Sequence, residues 1–259
     1  MKIEFLTQED PIYVFPFFDE FVRTYSSEFE ITQISASRAM GKRRRRQMIK
    51  ELTQLYGIVG MSKLLSSLVI SKMLGNLPTK NAARYWTLPQ LSRAYKIPYR
   101  EVQNPNDPSF VDSIRRRGPD LLVSVACPHI LKSHVLTAAP KGAINIHHAP
   151  LPRYKGMMPT FWQMFHGERS VGLTIHYMAA KIDEGAALLQ DEQDIELDES
   201  LHDLIRRSKR RGAHCMAKVL RQIRDGEASV RALESEGTYF TFPNAKEIRE
   251  FRRRGFRAI

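Results

Sequence analysis

The sequence predicts an α/β fold in which one mostly parallel sheet is flanked by helices. Short apolar runs alternate with segments of helical periodicity along most of the 259 residues, which is the pattern of strand–helix–strand units. The run Asp120–Ala126 is almost continuously apolar, as expected for a strand that is covered on both faces. Because ligands of such sheets bind at the carboxyl ends of the strands, we expect functional residues at that edge.

Strands are predicted wherever a short apolar run lies between polar or turn-forming residues. The first of them, Ile3–Leu6, is followed by an Asp-Pro pair, and the last is a short strand-like run near the C-terminus. The predicted strands after the first are Phe29–Ser35, Pro98–Val102, Asp120–Ala126, Ala143–His147, Val171–Met178, Ala186–Gln190 and Thr238–Phe242.

Helices are predicted between these strands from capping residues and periodicity. Asp10-Pro11 and Asp107-Pro108 each place an N-cap residue before a proline at the first helical position. The segment Lys42–Leu74 has apolar residues at helical spacing, and we expect Gly57 and Gly60 to break it into two helices. The other predicted helices are Leu88–Tyr95, Ile130–Ala138, Leu201–Arg224 and Asn244–Arg254.

The positive charge of the chain is concentrated in two stretches. The net charge is +12, from 40 Lys and Arg against 28 Asp and Glu. Arg38–Lys50 contains seven basic residues and no acid, and Leu201–Ile259 contains 15 basic and 7 acidic residues, so the rest of the chain is −3. This distribution argues against a protein whose whole surface follows a phosphate backbone.

Composition sets further bounds on the class of protein. The two cysteines cannot build a disulfide framework or a zinc site by themselves, and no metal site is expected. The acidic start of the chain is unlike a signal peptide. The most apolar window, Tyr56–Gly75, is interrupted by Lys63 and Lys72 and falls short of the ~20 apolar residues of a spanning helix. We therefore expect a soluble, cytoplasmic protein without a transmembrane segment.

A domain boundary is predicted after residue 204, where the strand pattern stops and the charge changes. Residues 1–204 would form the main domain, with a helical insertion at about 42–75. Residues 205–259 would form a basic, mainly helical appendage.

One segment carries candidate chemistry. Asn145 and His147 lie two residues apart in a predicted strand, so their side chains point to the same face near its carboxyl end. An amide donor beside an imidazole is suited to stabilising an oxyanion. Asp183 follows a later strand in an Asp-x-Gly turn and could orient the imidazole or accept a proton. Spacing alone favours a structural interpretation, since Asp-x-Gly is a common turn.

The order of these motifs resembles the folate-dependent formyltransferase family. The pattern Asn145-x-His147-x-x-x-Leu-Pro-x-x-x-Gly156, followed by Asp183-x-Gly185, is similar to the family's site motifs. Segments 119–131 and 159–176 resemble its neighbouring strands, loop and helix. The resemblance implies a Rossmann-like sheet and a domain at 1–204 that is catalytic. The chain departs from many relatives at Ala149-Pro150, where they have Ser-Leu.

The resemblance also implies roles for individual residues. Asn145 and His147 would stabilise the oxyanion formed when an amine attacks a formyl carbon, and Asp183 would hold the imidazole and help move a proton. The donor would be 10-formyltetrahydrofolate, and Lys155 and Gly156 would contact the acceptor. The donor would lie between two loops formed by Cys127, Pro128, His129, Ile130 and Leu131 and by Ala180, Lys181, Ile182 and Asp183.

The acceptor implied by the resemblance is a primary amine of a small, phosphate-bearing molecule, with a nucleotide-linked amino sugar favoured by the chain's length. Alternatives are a methionyl-tRNA formyltransferase-like enzyme, which the basic insertion favours, a formyltetrahydrofolate hydrolase, and a binding module without activity. Nucleic acid is the less favoured partner. The basic, apolar insertion is also compatible with contact to an anionic membrane surface, and the insertion and tail are candidate homodimer interfaces.

Overall fold

The computed structural model describes residues 1–38, 45–78, 84–179, 183–233 and 237–259. A seven-stranded sheet in the order β3-β2-β1-β4-β5-β7-β8 forms the centre of the molecule. Strands β1 to β5 pair in parallel, whereas β7 is antiparallel to both β5 and β8. The strands are β1 Lys2–Glu9, β2 Glu30–Arg38, β3 Tyr99–Glu101, β4 Leu121–Val125, β5 Ala143–His147, β6 Lys155–Gly156, β7 Ser170–Tyr177, β8 Ala187–Asp194 and β9 Tyr239–Phe240. The predicted fold class is confirmed.

Helices cover both faces of this sheet. Several begin at the predicted signals: Asp107 caps α4 by accepting the N–H of Ser109, and Asn244 forms a capping box with Glu247 at α8. The helices are α1 Phe15–Tyr25, α2 Arg45–Gly75, α3 Leu88–Ala94, α4 Pro108–Arg117, α5 Ser133–Leu136, α6 Pro159–Phe165, α7 Leu201–Asp225 and α8 Ala245–Arg253.

The first helix begins later than Asp10-Pro11 predicts. The Asp10 carboxylate accepts the N–H groups of Ile12 and Tyr13, both at 2.9 Å. These bonds close a turn of the kind that Asp favours outside helices, so α1 starts at Phe15 with Pro16 in its first turn. The expectation of a helix at Pro11 was therefore wrong by one turn.

The helix predicted at Ile130–Ala138 is also shorter in the structure. Asn106 holds the preceding backbone extended, since its Nδ2 donates to the Ile130 carbonyl at 2.9 Å and its Oδ1 accepts from Lys132 N at 2.7 Å. Because the Ile130 carbonyl and the Lys132 N–H bond to Asn106, they do not form helical hydrogen bonds, and α5 is confined to Ser133–Leu136.

Helix α2 is kinked where the glycine pattern predicts. Gly57 has φ 70° and ψ 176°, so the helix is interrupted there, whereas Gly60 is helical and lets Ile259 approach: a Cβ at Gly60 would lie 2.9 Å from Ile259 Cγ2. By length and composition, Arg46–Gly75 is long and apolar enough to cross a membrane, whereas the interrupted apolar window Tyr56–Gly75 predicted no transmembrane segment.

Helix α7 belongs to the core of the sheet domain. It packs against α1, and its buried Ala213, Met216 and Leu220 join the same apolar cluster as Ile3 and Phe5 of β1. The boundary predicted after residue 204 falls within the first turn of this helix. We therefore propose that the main domain extends through Asp225.

The C-terminal segment folds back on the loop that follows β5. Strand β9 pairs in parallel with β6, and Tyr154 N donates to Thr238 Oγ1 at 2.8 Å. Phe251 of α8 stacks on Phe161 of α6, with ring centroids 4.7 Å apart. The basic tail is thus packed on the main domain.

Candidate active site

Two neighbouring strands place an amide and two imidazoles on one face of the sheet. Strand β5 carries Asn145 and His147 two residues apart, and antiparallel pairing sets His176 of β7 directly opposite Asn145. Side chains of directly opposed residues on one face approach closely. Asn145 Nδ2 lies 3.3 Å from His176 Nε2, and His147 and His176 are both buried.

Asp183 brings a carboxylate to this group from the loop between β7 and β8. Its Oδ2 lies 3.5 Å from His147 Nδ1, and its Oδ1 lies 3.7 Å from His176 Nε2. The same carboxylate accepts the N–H of Gly156 at 3.3 Å. Asp183 has φ 54°, a left-handed conformation that Asp tolerates better than most residues. Asn145, His147 and Asp183, predicted from separate motifs, therefore meet in one place.

Backbone carbonyls orient both imidazoles. His147 Nε2 lies 2.8 Å from the Tyr154 carbonyl, and His176 Nδ1 lies 2.8 Å from the Tyr177 carbonyl. Burial, with a further contribution from His147, lowers the pKa of His176 despite the nearby Asp183 carboxylate. A neutral His176 that donates from Nδ1 accepts at Nε2, and this acceptor holds the Asn145 amide. For His147, both ring nitrogens face acceptors, namely a carbonyl and a carboxylate.

Sequence reasoning missed the part of His176 in this site. It lies in a predicted strand, but its place opposite Asn145 depends on the antiparallel register of β5 and β7. The backbone contribution of Tyr154 was also missed, because a carbonyl leaves no signature in the side-chain pattern. The only usable signal was polarity, since a histidine amid the apolar residues of β7 needs a buried partner.

The two residues expected to contact the acceptor have partners within the protein. Lys155 is buried, and its Nζ lies 3.4 Å from Glu184 Oε1. The N–H of Gly156 holds the Asp183 carboxylate, so this residue supports the site through its backbone. A contact with an acceptor remains a prediction for both.

The loop predicted to hold the donor extends from the carboxyl end of β4, next to β5 in the sheet. Its Leu131 side chain is buried, whereas Ile130 is 65% exposed. Burial raises the pKa of the Cys127 thiol to about 11, so it is protonated at neutral pH and is not an activated nucleophile. Pro128 and His129 are partly buried beside it. The other predicted donor residues, Ala180, Lys181 and Ile182, lie outside the described residues.

Next to His147, α7 supplies positive charge. Burial, and then the charges of Lys209 and His147, hold the pKa of His148 well below its usual range, and its Nδ1 lies 2.9 Å from Ser208 Oγ. Burial lowers the pKa of Lys209 to about 8, against the attraction of Asp10. Burial, followed by repulsion from Arg210 and Arg84, lowers the pKa of Arg206. We call Arg84, Arg206, Lys209 and Arg210 the α7 cation cluster.

Among the described residues, no group of three or more His, Cys, Asp or Glu side chains is placed to hold a metal ion.

Comparison with known proteins identifies the family to which the sequence belongs. The profile of the family described as "Formyl transferase" matches residues 77–220, which include Asn145, His147 and Asp183. The chain belongs to this family. The resemblance inferred from the motifs is confirmed.

Individual relatives differ in what they act on. A methionyl-tRNA formyltransferase of Syntrophus aciditrophicus is 36% identical over 135 residues, covering 52% of this chain and 43% of the relative. The chain thus matches less than half the length of that relative. Glycinamide ribonucleotide transformylase 1 from Symbiobacterium toebii has a TM-score of 0.60 at 15% identity, over 90% of this chain and 94% of that one.

A third neighbour is a sugar 3N-formyl transferase whose structure was determined in the presence of dTDP and 5-N-formyl-THF. Its TM-score is 0.56 at 15% identity, over 93% of this chain and 69% of that one. At such identities, the two solved structures are alike in fold.

Proposed function

We propose that this chain transfers a formyl group from 10-formyltetrahydrofolate to the primary amine of a small, phosphate-bearing acceptor. The observation that carries the proposal is the convergence of Asn145, His147 and Asp183 at the carboxyl end of β5, within a domain of the formyl transferase family. An amide, an imidazole and a carboxylate gathered at one site can stabilise an oxyanion and move a proton.

In the proposed reaction the amine nitrogen bonds to the formyl carbon, and the bond from that carbon to the donor nitrogen breaks. Asn145 donates a hydrogen bond to the formyl oxygen as negative charge develops on it, and His147 supports the same charge. Because His176 and the Tyr154 carbonyl hold these two side chains in place, little reorganisation is needed during the reaction.

Asp183 transfers the proton in the proposed reaction. The proton leaves the attacking amine and reaches the donor nitrogen that departs, so charge balances without a covalent enzyme intermediate. The Asp183 carboxylate faces both imidazoles and is held by the Gly156 N–H, which supports a proposed role as proton acceptor.

The proposed donor site is the β4 loop with its exposed Ile130 side chain, adjacent to β5. Anchoring by Asn106 gives this loop a defined backbone, and exposed backbone groups of such a loop could pair with the edge of a pteridine ring. The presence of 5-N-formyl-THF in the structure of a sugar 3N-formyl transferase supports a folate donor.

The α7 cation cluster supports a phosphate-bearing acceptor. Burial and repulsion from Arg210 and Arg84 lower the pKa of Arg206, and burial lowers the pKa of Lys209, as expected for buried cations with little counter-charge. A phosphate group would supply that counter-charge. We favour a nucleotide-linked amino sugar, because such an acceptor combines an amine with phosphates.

The alternative acceptor is methionyl-tRNA, for which 36% identity to a methionyl-tRNA formyltransferase is the supporting observation. A hydrolase that releases formate from the same donor is a third option. A cytoplasmic place of action belongs to the proposal, since both cysteines are free thiols, as is usual in a reducing compartment.

One assay separates these options. Purified protein is incubated with 10-formyltetrahydrofolate and, in parallel, with dTDP-, UDP- or GDP-linked amino sugars, with methionyl-tRNA, or with no amine, and the folate product is followed by absorbance. We expect turnover with at least one nucleotide-linked amino sugar. Turnover only with the tRNA, or without any amine, would select an alternative. Failure to bind the folate in calorimetry would contradict the proposal as a whole.

A further inference from the structure

Helix α2 has two apolar faces, and the described part of the chain covers one of them. On the covered face, Leu64 and Ser71 are buried, and a Cβ at Gly75 would lie 2.6 Å from Thr87 Cγ2. The opposite face is exposed although it also carries large apolar side chains. Its large exposed side chains are Ile58, Val59, Leu65, Val69, Ile70 and Met73.

This exposed face is a continuous stripe. Ile58, Leu65, Val69 and Met73 follow one another at spacings of seven, four and four residues, so they project from the same side of the helix. Ile58 is 82% exposed and Met73 is 69% exposed. Single exposed apolar residues are ordinary on protein surfaces, but a contiguous apolar patch marks an interaction site.

Charge indicates what this stripe contacts. Residues 58–75, which carry the stripe, contain Lys63 and Lys72 and no acid, and residues 38–57 before them contain seven basic residues and one acid. With 3.6 residues per turn, Lys63 and Lys72 fall on opposite edges of the stripe, and both are exposed. Lysines in such positions extend their ammonium groups to lipid headgroups while their methylene chains stay with apolar surface. We propose that the stripe docks on the surface of an anionic lipid bilayer.

The geometry favours a helix that lies on the membrane over one that crosses it. The kink at Gly57 leaves residues 58–75 as the continuous apolar part, about 27 Å at 1.5 Å per residue. The hydrocarbon core of a bilayer is about 30 Å thick. The covered face is also tied to α3, where Arg93 Nη2 donates to the Gly75 carbonyl at 2.9 Å. A helix attached to the domain along one side presents only its other side to lipid.

The first half of α2 lies beside the edge of the sheet formed by the carboxyl ends of the strands, where the proposed reaction site is. Tyr13, in the turn after β1, donates its hydroxyl to Tyr56 Oη at 2.7 Å, and Arg252 of α8 donates to the carbonyls of Gln54 and Leu55. A docked stripe would therefore hold this edge close to the membrane. Docking of the stripe on a membrane does not depend on which amine the protein uses.

Flotation with vesicles tests the inference on the full chain. We expect the protein to float with vesicles of equal parts phosphatidylcholine and phosphatidylglycerol, and weakly or not at all with phosphatidylcholine alone. High salt should reduce the bound fraction, because the charge contribution is screened. Alkaline extraction should release the protein, as for a peripheral protein.

Variants assign the binding to the stripe. Ile58→Ser with Val69→Ser and Met73→Ser should weaken vesicle binding about tenfold or more, since three large apolar side chains are lost from the contact. Leu197→Ser is the matched control, because Leu197 is 95% exposed but lies outside α2. Lys63→Glu should weaken binding to anionic vesicles, whereas Lys218→Glu on α7 should not. Each variant is compared only if its thermal melt and circular dichroism match the wild type.

Three results would overturn the inference: no flotation with anionic vesicles, equal flotation of the triple variant, or resistance of the bound protein to alkaline extraction, which indicates a spanning helix. Light scattering supplies a fourth test. A wild-type dimer that becomes a monomer in the triple variant would show that the stripe contacts a second copy of the chain, not lipid.

Discussion

The proposed reaction site and the α2 stripe are built in opposite ways. The site is a set of buried or partly buried polar side chains that are paired with one another, as Asn145 is with His176 and His147 with Asp183. The stripe is a set of apolar side chains that are exposed, such as Ile58 and Met73. Buried polar groups cost free energy unless they are paired, and exposed apolar stripes cost solubility. Both arrangements depart from the usual burial of apolar and exposure of polar side chains, and both indicate function. The first indicates a reaction, and the second indicates where the protein acts.

The largest effect is expected from the site itself. Asn145→Ala and His147→Ala should each lower kcat by about 10²–10³, as does loss of one oxyanion donor elsewhere, while vesicle binding stays at the wild-type level. Steady-state kinetics with the acceptor found in the assay above measures this. His214→Ala is the control, because His214 is half-exposed and pairs with Glu20 outside the site. Near-normal kcat in either site variant would refute the proposed roles.

A smaller kinetic effect is expected from the residue behind Asn145. His176→Phe removes the acceptor that orients the Asn145 amide, so kcat should fall about tenfold, in the range seen for supporting residues, with little change in KM. His176→Gln retains a polar group there and should recover part of the loss. If Phe and Gln at this position behave alike, His176 has only a packing role.

His148 follows the site residue His147 and contacts Ser208 of α7, and it allows a test by pH. Its pKa is held well below 6.5 in the folded protein, so below about pH 6.5 the unfolded chain binds a proton that the folded chain does not. The free energy of unfolding should therefore fall as the pH drops below 6.5, by up to about 1.4 kcal/mol per pH unit for this group.

The matching variant is His148→Asn, which cannot titrate. Between pH 7 and 5.5 it should lose less stability than the wild type in urea unfolding. Ser208→Ala removes the hydrogen bond to His148 but leaves the imidazole, so it should keep the wild-type pH dependence. Parallel pH curves for His148→Asn and the wild type would contradict the explanation.

The smallest effect is expected where α2 is attached. Arg252→Ala removes the donor to the Gln54 and Leu55 carbonyls at the end of the first half of α2, which should cost about 1 kcal/mol or less of unfolding free energy. We expect weaker vesicle binding and unchanged kcat. Arg253→Ala is the control, since Arg253 pairs with Glu250 on its own helix. A large loss of kcat would show that the two regions are not separable.

Much of the fold was predictable because its signals are local. The bounds of β5 match the prediction residue for residue, and α4 and α8 begin at their predicted caps. The start of α1 was not predictable from Asp10-Pro11, since the same residues form a turn when the carboxylate bonds to the following N–H groups.

The side chains of the proposed site were predictable from the sequence, whereas the groups that orient them were not. Asn145, His147 and Asp183 belong to motifs, whereas His176 depends on strand register and Tyr154 contributes only a carbonyl. Periodicity likewise identified the apolar residues of α2 without telling which of its faces the rest of the chain covers, because coverage is decided by contacts with distant segments such as Thr87 and Ile259.

The pairing of the short strands β6 and β9 links the C-terminal segment to the proposed reaction site. Gly237 is so close to the loop after β5 that a Cβ there would lie 1.9 Å from the Pro152 carbonyl oxygen, and β9 then aligns the backbone of Lys155–Gly156. That same stretch supplies the N–H that holds Asp183 and, one residue earlier, the carbonyl that holds His147. Proteolytic clipping between α7 and β9 would therefore act like a mutation of the site while leaving every side chain in it unchanged.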